Sequence, residues 1–160
     1  MACGYGTVMI TITNTQRSIR INQKQIKTAA AAMLAALDYA DYDLAIRFTG
    51  TKAMQTFNKT YRGKDKVTDI LSFGYHENLK PGQRIAVNHP EDKNLGDLII
   101  CPSYVQKEAK KTWGRSFDEH LITLLAHGIA HLLGHDHIDD KDYEEMLKVE
   151  QKLLKAVDHK

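Results

Sequence analysis

One stretch constrains this chain more than any other: His127-Gly128-Ile129-Ala130-His131-Leu132-Leu133-Gly134-His135-Asp136-His137. Five of the eight histidines lie between His120 and His137. Ser116-Phe117-Asp118-Glu119 reads as a capping box, so a helix is predicted from Phe117 to Leu133. His127 and His131 are four residues apart and share a face of that helix. Gly134 ends it, because glycine takes the left-handed terminal conformation at little cost. The chain can then turn back and deliver His137 to the same point. Three neutral imidazoles with one open position make the usual catalytic zinc site. The spacing therefore predicts one zinc ion held by His127, His131 and His137. The alternative, a scatter of core and surface histidines, does not account for H-x3-H-x5-H with a glycine at the turn.

The same helix is apolar nearly all round. Leu121, Leu125 and Leu132 lie on one flank of the histidine face, and Ile122, Ile129 and Leu133 lie opposite. Such a helix is expected in a core. The spacing also matches the zinc-protease pattern H-E-x-x-H-x-x-G-x-x-H, except at its second residue. Gly128 stands where those proteases carry their general base. The metal geometry is kept and the proteolytic base is missing.

With 160 residues the chain is read as one domain spanning 1–160. No run is long and apolar enough for a membrane span, and Met1 to Thr13 lacks a secretory pattern. A cytoplasmic protein without a membrane partner is expected. Cys3 and Cys101 have no CxxC spacing and read as spare thiols, with Cys101 as a fourth metal ligand the minor alternative. Residues 1–66 carry 10 Lys/Arg against 4 Asp/Glu, and residues 67–160 carry 12 against 16. The basic first part suits a polyanion such as RNA; a solvated basic face is the plain alternative.

In chain order, Val8, Ile10 and Ile12 alternate with Thr7, Met9, Thr11 and Thr13 as a first strand, and Asn22 to Ala40 is Ala-rich with apolar residues at helical spacing. Leu44, Ile46 and Phe48 mark a second strand, and Thr51 is expected to cap a helix ending near Tyr61. A basic loop then leads to a strand over Asp69 to Phe73, and residues 76–94 read as a surface loop. Leu95 to Cys101 is the fourth strand, Pro102 opens a helix to Trp113, and Asp140 to Val157 is a last amphipathic helix. Five helices and four strands without strict alternation predict an α+β domain. Its mixed sheet is expected to be covered mainly on one face.

Two blocks together carry a resemblance. Asn58 to Phe73, reading NKTYRGKDKVTDILSF, resembles the N-x-x-Y-R-x-K-D-K-P-T-D-V-L-S-F segment of the YbeY endoribonucleases, the ribosomal RNA maturation factors. His127 to His137 resembles that family's H-G-x-x-H-L-x-G-Y-D-H segment, and Leu95-Gly96-Asp97 its L-G-D strand start. Val67, Gly74 and His135 depart from the pattern, and His135 leaves two late histidines as candidates; spacing favours His137. The resemblance implies a zincin-like fold, a zinc-type metal and cleavage of single-stranded RNA. It also implies action on the 3′ end of small-subunit ribosomal RNA and in ribosome quality control, and a functional arginine, here Arg62. The small ribosomal subunit and its assembly factors are the implied partners.

Chemistry fits those roles. A metal on three histidines makes hydroxide available near neutral pH without a Glu base. A guanidinium meets developing phosphoryl charge with two parallel hydrogen bonds, so Arg62 is the expected catalytic partner of His127. Lys59, Lys64 and Lys66 are expected to hold flanking phosphates beside Arg62. Tyr61 and Tyr75 are candidates for base stacking, with packing the simpler role. Asp136 and Asp97 are candidates for orienting the ligand histidines. His120 is expected to line the cleft. Two rival classes stand beside the nuclease: a zinc peptidase, and a ribosome-assembly protein whose zinc only holds the fold.

Overall fold

Alternating side chains give the central sheet two unequal faces, and the helices distribute themselves accordingly. The structure is a computed structural model and describes residues 9–158; Cys3 and the first two residues of the expected first strand, Thr7 and Val8, lie outside that range. The elements in order are β1 (Ile10–Asn14), α1 (Gln23–Ala36), β2 (Asp43–Phe48), α2 (Thr51–Arg62), β3 (Ile70–Gly74), β4 (Asn94–Ile100), α3 (Pro102–Glu108), α4 (Phe117–Leu132) and α5 (Asp140–Asp158). The strands form one sheet in the order β1-β2-β4-β3. β1 pairs parallel with β2, and β2 with β4, while β3 runs antiparallel to β4. This is the expected α+β domain with a four-stranded mixed sheet and five helices. Among the described residues no helix is long and apolar enough to cross a membrane.

Leu44, Ile46 and Phe48 of β2, with Leu98 and Ile100 of β4, face α1, α4 and α5. There they meet Ile26, Met33, Leu34, Leu121, Leu125, Ile129 and Leu153 in one core. Each such buried side chain stabilises the fold by about 1.5–3 kcal/mol relative to exposure. Among the described residues the other face is covered at one end. Met54 of α2 packs there with Leu71, Ile99 and Cys101.

Several boundaries differ from the sequence reading, each for a local reason. α1 ends at Ala36, and Asp38 takes a positive φ of 61° beyond it. Gly50, not Thr51, is the N-cap of α2, which runs to Arg62 before Gly63 ends it in the left-handed region. Lys59 and Arg62 therefore stand on the last helical turn and not in a loop. β3 begins at Ile70 because the Asp69 carboxylate accepts the Ile70 N–H at 2.7 Å. The helix from Pro102 is α only to Glu108 and continues as a π turn over Ala109–Trp113. Ile122 is half-buried, whereas its expected partners Ile129 and Leu133 are fully buried.

α4 starts where expected, with the Ser116 hydroxyl accepting the Glu119 N–H at 3.2 Å. It lies very close to the sheet. A Cβ on Gly128 would come within 2.8 Å of both Ile70 Cδ1 and Leu98 Cδ2. Past the helix, Gly134 adopts φ +89°, and a Cβ there would stand 2.3 Å from the Leu79 carbonyl oxygen. Gly134→Ala combines a left-handed penalty of about 1–2 kcal/mol with that backbone collision. Denaturant unfolding of this variant is expected to show a loss of about 2 kcal/mol or more. A loss below about 0.5 kcal/mol, the size of an ordinary surface change, would show the turn to be slack.

Candidate metal centre and cleft

Seating Gly128 against the sheet leaves His127 and His131 half-buried on the flank of α4, with His137 exposed just beyond the Gly134 turn. Each of these three histidines offers one ring nitrogen, and the three nitrogens lie within 4.8 Å of one another. The ring centroids are 4.5, 5.8 and 5.4 Å apart for the 127–131, 127–137 and 131–137 pairs. His135, the competing late histidine, is buried, and its ring does not belong to this cluster.

Two acceptors set the tautomers. The Nδ1 of His127 lies 2.6 Å from Glu150 Oε1 on α5, and the Nδ1 of His131 lies 2.9 Å from the His135 carbonyl oxygen. Carboxylates and carbonyls only accept, so in the neutral rings the N–H sits on Nδ1. The two Nε2 lone pairs then face each other at 3.1 Å. Two lone pairs at that distance repel unless a cation lies between them. Tetrahedral coordination with bonds of about 2.0–2.1 Å spaces ligand nitrogens by roughly 3.3 Å. The donor set therefore fits a divalent ion. Burial, reinforced by the neighbouring His127, holds His131 below the ordinary imidazole range, which keeps its lone pair free.

The orienting acceptors are not those expected. Asp136 accepts the N–H of His137 at 2.8 Å, and Asp97 is exposed on the opposite face of the sheet. Glu150 and the His135 carbonyl hold the rings instead. Glu150 had one sequence signal: it falls on the apolar stripe of α5, four residues after Met146 and three before Leu153. His120 does not line the cleft. It is 8% exposed, its Nδ1 has no partner among the described residues, and burial lowers its pKa against the opposing pull of Asp69.

The cleft over the histidines has a volume of about 720 Å³. Its far wall is Tyr61 and Arg62 at the end of α2, and its floor is the edge from Thr68 to Phe73. Arg62 thus opens onto the same space as the three histidines. Asn58 braces this arrangement, being fully buried with its side-chain N–H donating to the Lys66 carbonyl at 2.9 Å. Lys59, Lys64 and Lys66 are exposed and do not line the cleft. Lys59 stands 3.8 Å from Asp65. Tyr75 donates its hydroxyl to Asp92 at 2.7 Å, away from the cleft lining.

An α+β domain with a helical histidine pair, a third histidine after a glycine turn, and no glutamate at the second position is a zincin-like domain that lacks a protease's base. Comparison with known proteins gives the class its family. The family model described as Endoribonuclease YbeY matches residues 11–158. The Endoribonuclease YbeY of Alkaliphilus metalliredigens is 33% identical over 151 residues, covering 92% of this chain and 94% of that protein. That of Paraburkholderia phymatum is 38% identical over 128 residues, covering 80% and 76%. The solution structure of a Thermotoga maritima protein superposes with a TM-score of 0.61 at 22% identity, covering 93% of this chain and 89% of that one, which supports the fold. The chain belongs to the YbeY endoribonuclease family.

The site's construction makes a measurable demand. In His131→Ala the bound metal should fall to a small fraction of one equivalent by elemental analysis. Glu150→Ala, which removes no ligand, should weaken metal affinity by about ten- to a hundredfold in chelator competition. Wild-type affinity in Glu150→Ala would mean that its carboxylate does not orient His127.

Proposed function

We propose that the protein is a metal-dependent endoribonuclease cutting single-stranded RNA, with one zinc ion per chain held by His127, His131 and His137. The observation that carries this reading is that Arg62 and the three histidines open onto one cleft, while position 128 has no carboxylate. Small-subunit ribosomal RNA near its 3′ end is the proposed substrate. Ribosome quality control, the small subunit with its assembly factors, and a cytoplasmic setting belong to the same proposal.

The chain's own groups divide the work. Arg62 offers a planar fork of donors to the non-bridging oxygens of a phosphate lying over the histidines. Its benefit grows as negative charge builds there in the transition state. A bound divalent cation supplies Lewis acidity and a lowered water pKa near neutrality. His127 takes part through the ion it holds, and Glu150 and the His135 carbonyl keep the ring faces aligned. Lys59, Lys64 and Lys66 stand outside the cleft, where they attract the flanking strand.

The rivals are weaker on specific grounds. A peptidase needs a base at position 128, where the chain has glycine and a Cβ would already crowd the side-chain ends of Ile70 and Leu98. A purely structural zinc site is usually closed by a fourth protein ligand. Among the described residues the cluster contains three, and Cys101 is buried in the small cluster under α2.

In single-turnover cleavage of a single-stranded ribosomal RNA fragment, Arg62→Lys should slow the reaction on the order of a hundredfold. RNA affinity should change only a few-fold, because lysine keeps the charge and loses the fork. Metal-free His127→Ala serves as the blank. Near wild-type cleavage by Arg62→Lys would remove the arginine from the mechanism. Separately, replacing Lys64 and Lys66 by Ala should reduce the slope of log affinity against log salt by about 1.4, the value for two single-strand phosphate contacts. An unchanged slope would place the strand elsewhere.

A further inference from the structure

The face of the sheet turned away from α1, α4 and α5 keeps an open groove. α2 covers Leu71 and Ile99 but leaves Thr13, Ala45, Arg47 and Asp97 outside. With Phe57, Tyr61 and Phe73 as its aromatic part, this groove has a volume of about 510 Å³. Tyr61 is 61% exposed, yet its ring is held in place. It stacks on Phe57 at 6.3 Å with planes 21° apart, and meets Phe73 edge-on at 5.1 Å. The Arg47 guanidinium lies 5.6 Å from the Phe57 ring centre. Tyr61 and Phe73 line both this groove and the metal cleft, so the two spaces join at these rings.

We propose that the groove binds an unpaired RNA base next to the scissile phosphate, and that this requirement restricts cleavage to single strands. The inference rests on the nuclease reading above and adds a base-binding subsite to it. Arg62 follows Tyr61 directly, so a strand whose phosphate meets Arg62 has a neighbouring base within reach of the Tyr61 ring. An exposed aromatic ring already fixed by two others loses little freedom on stacking. Arg47 adds a planar cation beside the aromatic wall. An ionised Asp97 only accepts hydrogen bonds, which suits the amino or ring N–H groups of a base edge. A base inside a duplex offers neither its faces nor its Watson–Crick edge until it is unpaired and unstacked, at a cost of a few kcal/mol. The continuity with the cleft favours a nucleic-acid strand over a protein segment as the occupant.

The test uses the full chain and a single-stranded RNA carrying one 2-aminopurine, followed by rapid mixing ahead of cleavage, with the matching duplex in parallel. Wild type should quench the fluorophore on binding the single strand. Tyr61→Leu should lose the quench and bind the single strand about five- to a hundredfold more weakly, the range for one base–aromatic stack. Tyr61→Phe should keep both, and duplex affinity should be the same in all three. Arg47→Met, on β2 and away from the α2 backbone, should also weaken single-strand binding alone. Wild-type single-strand affinity in Tyr61→Leu would overturn the proposal and leave the groove to a protein ligand. Equal losses on single strand and duplex would also overturn it. If the wild type binds neither RNA, the nuclease reading falls as well; quench-free binding by the wild type sinks the base subsite alone.

Discussion

The tight approach of α4 to the sheet at Gly128 is the constraint on which the rest depends. An added methyl there would meet the side-chain ends of Ile70 and Leu98 at 2.8 Å, so any residue larger than glycine makes those side chains shift or lifts the helix. Successive helical residues are about 100° apart. Seating position 128 on the sheet therefore turns His127 and His131 to the flank, where the cleft opens. The position at which a protease carries its glutamate is the one pressed against the sheet, and here it has no side chain. One residue thus bears on both packing and site: it seats the helix and leaves three histidines facing a cleft that Arg62 also lines.

The histidines are oriented from elsewhere in the chain. Glu150 reaches His127 from α5, and the main chain at His135 reaches His131 just after the Gly134 turn. These bonds assign the N–H to the outer nitrogen of each ring and aim both lone pairs inward. Burial acts in the same direction by disfavouring the charged imidazolium of His131. α5 thus does more than cover the core. It ties the end of the fold to the ligand geometry, and loosening it would disorder the site without touching a ligand.

The sheet separates two tasks. Its covered face carries the main core, with Phe48, Leu98 and Leu125 among the side chains fully shielded. Among the described residues its other face carries α2 and a small apolar cluster joined by Tyr104 of α3. Because that cluster is small, the aromatic and charged residues around it stay accessible. α2 ends at the boundary between the faces, and Gly63 stops it there in the left-handed conformation. Arg62 is therefore presented at a fixed point beside the histidines, with Tyr61 one residue earlier bridging the cleft and the open face.

Much of this was legible in the residues. Histidine spacing, the Ser116 cap and Gly134 are local signals, governed by helix periodicity and backbone conformation, and they foretold α4 and the convergence of three histidines. Period-two alternation foretold β1 and β2, because half-buried strands alternate, while β3 and β4 were read as short runs between loops. What the sequence left open was long-range. The choice of Glu150 over Asp136 and Asp97 depends on how α5 crosses α4, which no local pattern encodes. The wedge at Gly128 depends on the depth to which α4 settles between Ile70 and Leu98. The entry of Arg62 into the cleft, and the exclusion of Lys59, Lys64 and Lys66 from its lining, depend on where α2 ends relative to β3. Periodicity determines which face of an element is apolar; only packing between distant elements determines which polar groups then meet, because those contacts are made by side chains far apart along the chain.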